Sequence, residues 1–177
     1  MTIFELYPST EELQINDWKY QPKLTNKLDD YEGDFDQDII NEIVLWKVNR
    51  YAGLSPYCLE LINKIDKNAI KLDHAFTGEI LLQLLSQKGI RLPMASSILR
   101  FKNPNVYQII DQRAFRFLTG KILEYPERDL NQQINYYLEY LDKLNEACKQ
   151  FKMDFKLSDR ILYRLDKIYN VGDKIKY

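Results

Sequence analysis

"KGIRLPMASSILRFKNPNVYQIIDQRAFRFL", residues 88–118, decides how this chain is read. Gly89 precedes an apolar run that contains Pro93 and three small residues in a row, Ala95, Ser96 and Ser97. A linker of Asn and Pro follows. Then comes one carboxylate, Asp111, between isoleucines and a basic segment. A glycine lets the chain turn sharply between two short helices. Small residues let those helices pack closely, and the unpaired N–H groups opening the second helix form a place where a phosphate can sit. Asp111 stands before "QRAFRFLT", a helical segment that Gly120 closes, and an aspartate N-cap contributes about 1 kcal/mol.

Charge sharpens the question. Residues 88–121 hold seven bases, Lys88, Arg91, Arg100, Lys102, Arg113, Arg116 and Lys121, against Asp111 alone, a net of +6. The remaining 18 bases and 25 acids leave the chain at −1, so an unremarkable total hides a strong asymmetry. A local basic stripe is the footprint of a phosphate-binding surface. The bland alternative is that the arginines pair with acids elsewhere in the chain. Arg113 and Arg116, beside Asp111 in sequence, are expected to favour its ionised form.

Working outward, 177 residues make about one domain with a real core. A hydrophobic content of 45% argues for a packed globule over disorder. Helix signals recur and alternating strand patterns do not, so the fold class is all-α. Ser9 to Glu12 read as a capping box. A helix is expected from about Phe35 to Tyr51, with Phe35, Ile39, Ile43 and Trp46 on one face, joined by Ile40 and Val44. Ser55 and Pro56 open the next helix. Asp129, with Gln132 three on, opens a long one whose stripe is Leu130, Ile134, Tyr137, Leu138, Leu141, Leu144, Cys148 and Phe151. The last helix rests on Ile161, Leu162, Leu165 and Ile168. The acidic stretch 29–38 lacks calcium-loop spacing. Two distant cysteines, Cys58 and Cys148, read as buried reduced thiols of a cytoplasmic protein. With one histidine, His74, no metal or cofactor is expected. No apolar run reaches 18 residues and no leader pattern opens the chain, so neither a membrane span nor a signal peptide is expected.

Residues 88–118 resemble the helix-hairpin-helix DNA glycosylase superfamily, named for its hairpin, its Gly/Pro-rich loop and its aspartate. "GIRLPMASSIL" falls on the family's hairpin, "NPNVYQII" on its linker and "DQRAFRFL" on its aspartate helix, with the interval between hairpin and aspartate kept. About 30 residues carry the likeness. The departures are chemical. The family's second hairpin glycine is Arg91 here, and the lysine of its lyase-competent members falls on Pro93, which has no amine. The cluster cysteines of some members are missing.

The resemblance implies one compact domain of two helical lobes with a cleft between them. One lobe spans roughly 35–110 and contains the hairpin at 78–101; the N-terminal segment and 111–177 form the other. It implies a monofunctional DNA N-glycosylase of base-excision repair, a hydrolase and a monomer, with Asp111 catalytic. Lys88, Gly89, Arg91, Arg100, Lys102 and Arg113 would contact duplex DNA, and Trp46 is a candidate for the base pocket. The alternative is a non-catalytic helix-hairpin-helix DNA-binding or helical protein-interaction module.

Overall fold

The computed structural model describes residues 21–48, 52–125 and 129–171. Among them are eight α-helices, one short 3-10 turn and no strand, which is the all-α class expected. The capping box at Ser9–Glu12 lies outside the described residues. No helix among the described residues is long and apolar enough to cross a membrane. The chain divides into two compact units, 1–51 and 52–177.

In the first unit, α1 (Pro22–Asp29) packs against α2 (Gln37–Val48). Helix α2 starts later than its apolar pattern suggests, because the Asp36 side chain accepts the Ile39 N–H at 2.9 Å and fixes the start there. Phe35 is left outside and exposed. Of the expected face, Ile39 is buried while Ile40 and Val44 are exposed. The Trp46 indole N–H donates to Thr25 Oγ1 at 2.9 Å, tying the two helices together.

The second unit runs α3 (Pro56–Asn63), α4 (His74–Leu85), α5 (Leu92–Lys102), α6 (Gln112–Thr119), α7 (Leu130–Phe151), a 3-10 turn (Phe155–Leu157) and α8 (Ser158–Tyr169). Local chemistry sets most of these starts. Ser55, Asp73, Asp111 and Asp129 each accept a backbone N–H from three residues on. Gly120 closes α6 in the left-handed region at φ 69°. Helix α4 packs on α3, α5 and α7, and α6 lies along α8. Leu81, Leu84, Leu92, Leu99, Ile110, Leu141 and Leu144 are fully buried in one cluster. That core runs without a break across residue 110, where the resemblance sets a lobe boundary. Cys58 and Cys148 are both free thiols buried in it.

Two apolar stripes end sooner than their spacing suggests. Phe151 of α7 and Ile168 of α8 are exposed. Helix α8 instead turns Ser158, Asp159, Leu162 and Asp166 inward, so two acids occupy its buried face. The partners of those acids come from the basic window around Asp111.

Candidate functional site

The hairpin forms as its glycine requires. Helix α4 ends at Leu85, Gly89 takes φ 85°, and α5 begins at Leu92. A Cβ at Gly89 would touch nothing within 4 Å, so it is the dihedral and not crowding that calls for glycine here. Ile90 is buried behind the turn, while Lys88, Gly89 and Arg91 are exposed on it. Arg91 occupies the N-cap of α5 without a side-chain cap bond, and Pro93 lies in the first turn. Ala95 and Ser96 are buried, as close packing needs.

The linker that follows is held along its length. Asn103, fully buried, donates to the carbonyls of Asp66 and Ala69 at 2.8 and 2.9 Å and accepts the Asn105 N–H at 2.8 Å. Tyr107 shares a 3.1 Å hydrogen bond with Thr77. Residues 106–108 and 110 are buried. The linker is therefore core, and it delivers Asp111 to a fixed place.

Asp111 is half-buried at the N-cap of α6 and accepts the Ala114 N–H at 2.8 Å. Burial raises its carboxyl above the ordinary value, and the neighbouring charge of Asp159 raises it further. The backbone N–H groups of Ala114 and Arg113 and the Arg113 charge pull the other way without cancelling the rise. Arg113 thus favours the ionised form of Asp111 as expected, but burial outweighs it, and Arg116 is turned to another acid.

Those arginines face another acid. Asp166 is fully buried. Its Oδ1 accepts from Arg116 Nε at 2.9 Å and from Asn170 at 2.8 Å; its Oδ2 accepts from Arg116 at 2.8 Å and Arg113 at 3.1 Å. Burial pushes this carboxyl up, but the Arg116, Asn170 and Arg113 hydrogen bonds and the Arg116 charge outweigh it, and the net shift is downward. The pair of arginines on α6 and the acid on α8 form the polar bolt between these helices.

Arg100 is also internal. It is 9% exposed, donates to the Lys156 carbonyl at 3.0 Å, and places Nε 4.0 Å from Asp159 Oδ2, a distance for an ion pair and not a hydrogen bond. Three of the seven bases thus face acids of α8: Arg100 is buried beside Asp159, and Arg113 and Arg116 are half-buried on Asp166. Lys88, Gly89 and Arg91 remain together at the turn. Lys102, half-buried at the far end of α5, donates to Asn63 at 3.0 Å. Trp46 belongs to the first unit, with its indole N–H on Thr25. His74 is exposed, 3.7 Å from Asp142.

Sequence reasoning missed Asp159, Asp166 and Tyr140. Acids on a helix default to the solvent face, and the expected stripe took Tyr137 and Leu141 while passing over Tyr140 between them. The signal was present: Arg113 and Arg116 are three apart on one helix face, and guanidinium groups drawn partly out of water require carboxylates somewhere. Chemically, the arrangement offers a half-buried carboxylate of raised pKa at a helix start, separated by α5 and a largely buried linker from a turn with exposed cations. Comparison of the chain with protein-family models, curated proteins and solved structures finds no match.

Proposed function

We propose that the chain is a monofunctional DNA N-glycosylase in which the hairpin turn grips the phosphate backbone and Asp111 acts on the sugar of a base turned out of the duplex. The observation that carries this reading is the order along the second unit: a helical hairpin turning on a left-handed Gly89, a buried linker, and a half-buried carboxylate of raised pKa at the next helix start.

Cleaving an N-glycosidic bond develops oxocarbenium character on the sugar. An ionised Asp111 beside that carbon stabilises the cation and can orient or deprotonate the attacking water. Partial burial strengthens such a contact, because less water screens it. Pro93 offers no amine at the family's lyase position, so the reaction ends at the abasic site. The phosphate contacts fall to Lys88, Arg91 and the backbone of Gly89, all exposed at the turn, with Lys102 further along α5.

The test is a panel of duplexes carrying alkylated, oxidised or deaminated bases, scored for strand cleavage after alkali. The reading predicts base release from at least one of them, no cleavage before alkali treatment, and no borohydride-trapped adduct. A protein that binds these duplexes and releases no base from any of them is the non-catalytic module, with Asp111 a helix cap. One observation favours that second reading: the Asp111 carboxylate is engaged with the Ala114 N–H at 2.8 Å.

A further inference from the structure

Three consecutive residues lead the chain into Asp111, and a side chain from another helix holds the backbone of each. The Tyr137 hydroxyl donates to the Gln108 carbonyl at 2.9 Å. The Tyr140 hydroxyl donates to the Ile109 carbonyl at 2.9 Å. The Ile110 N–H donates to Ser96 Oγ at 3.2 Å. Ser96 Oγ is anchored in turn, donating to the Pro93 carbonyl at 2.8 Å. Just after Asp111, the Gln112 side-chain amide makes paired bonds to the Leu123 backbone, at 2.9 and 3.2 Å.

These groups are core in every respect but their oxygens. Ser96, Tyr137 and Tyr140 are at most 1% exposed. Tyr137 and Tyr140 lie three apart on α7, so they share one face, and their rings stack at 6.4 Å between centroids. Burial pushes both phenols well above their ordinary range, which keeps them O–H donors. Phenylalanine would fill the same volume. The hydroxyls meet the need of buried linker carbonyls for donors, and from two helices they converge on the residues that aim one carboxylate.

We propose that Ser96, Tyr137 and Tyr140 are positioning residues for Asp111, clamping residues 108–110 so that its carboxylate keeps one place and one degree of hydration. The catalytic consequence rests on the glycosylase reading; the clamp itself does not. The charged and titratable groups around the carboxylate are Asp159 of α8, Arg113 of its own helix and Tyr140 of α7, with Arg100 of α5 held 4.0 Å from Asp159.

The experiment compares Tyr137→Phe, Tyr140→Phe and the double variant with the parent, and uses Tyr31→Phe as control. The control loses a hydroxyl-to-carbonyl bond of the same kind, to Asp34 at 2.8 Å, in the first unit, whereas residues 108–110 belong to the second. Two readouts apply: the Asp111 carboxyl titration by carbon NMR, and single-turnover base release alongside duplex affinity. In the double variant the Asp111 titration is expected to move down toward the ordinary value of about 4, as water reaches a loosened carboxylate. Base release should fall about tenfold or more with duplex affinity within about twofold, the signature of misplacement and not of lost binding. The control should match the parent in both. An Asp111 titration in the double variant equal to the parent's overturns the clamp, as does an unchanged rate in an active protein. If the parent releases no base from any duplex, the glycosylase reading fails, and the carboxyl titration alone decides the clamp.

Discussion

A carboxylate drawn out of water gives up part of its hydration, and the two aspartates on which this molecule turns resolve that cost in opposite ways. Asp111 is met by the backbone N–H groups of Ala114 and Arg113 and keeps a raised pKa. Its protonated form therefore favours the folded state below the unfolded value of about 3.9, and that contribution is lost as pH rises through the higher folded value. Asp111→Asn, which keeps a capping oxygen, should gain stability relative to the parent as pH rises from about 4 to neutrality; urea unfolding across that range measures it. Catalysis asks for the ionised form, so the acid limb of base release should lie above the usual carboxylate value of about 3.9. A pH–rate profile with its acid limb below that value would assign the step to another group. Asp166 is the contrasting case. Arginine and asparagine donors hold its pKa down, so its contribution is present above the unfolded value and lost as pH falls through the lowered one. Asp166→Ala leaves two arginines without their shared partner in the interior, a change that costs about 3–5 kcal/mol. Denaturant unfolding near neutral pH should show that loss, and the gap to the parent should begin to narrow below about pH 4 and close only below the lowered folded value. Asp111 was legible in the sequence because its surroundings are short-range: a cap, a Gly stop, a basic window. Asp166 was not, because its partners lie 50 and 53 residues away.

At the scale of elements, caps and turns were readable and the lengths of apolar faces were not. Ser55, Asp111, Asp129 and Gly120 stop or start helices where their chemistry suggests, since each acts within one turn of chain. The faces of α2 and α8 depart from their patterns because burial is decided by what packs opposite. On α8 two acids displace Ile168 from the interior, since arginines of α5 and α6 face them. The hairpin can be probed by itself. Gly89 needs a positive φ and has open space around it, so Gly89→Ala should cost about 1–2 kcal/mol through the dihedral alone. Gly89→Asn, better tolerated in that region, should cost less. Equal losses in thermal unfolding would mean that the turn had changed conformation.

Across the whole molecule, the window of +6 reads differently once folded. Arg100 is buried and Arg113 and Arg116 are half-buried, with their guanidinium groups turned to acids of α8, while Lys88, Arg91 and Lys102 stand at the hairpin and along α5. Duplex affinity should therefore weaken with salt, and alanine at these three positions should lower the slope of log affinity against log salt by about 0.9 for each phosphate contact removed. Arg100→Ala should lower stability and leave that slope unchanged. A sequence count of bases could not separate these groups, because pairing with Asp159 and Asp166 is a property of the fold. The central proposal is that Asp111 is the catalytic carboxylate, and the most direct measurement is single-turnover base release by Asp111→Asn on the duplex from which the parent releases base fastest. The account predicts a drop of about a hundredfold or more, the loss of a transition-state charge contact, with duplex affinity equal to the parent's or tighter. A variant that releases the base as fast as the parent would contradict it.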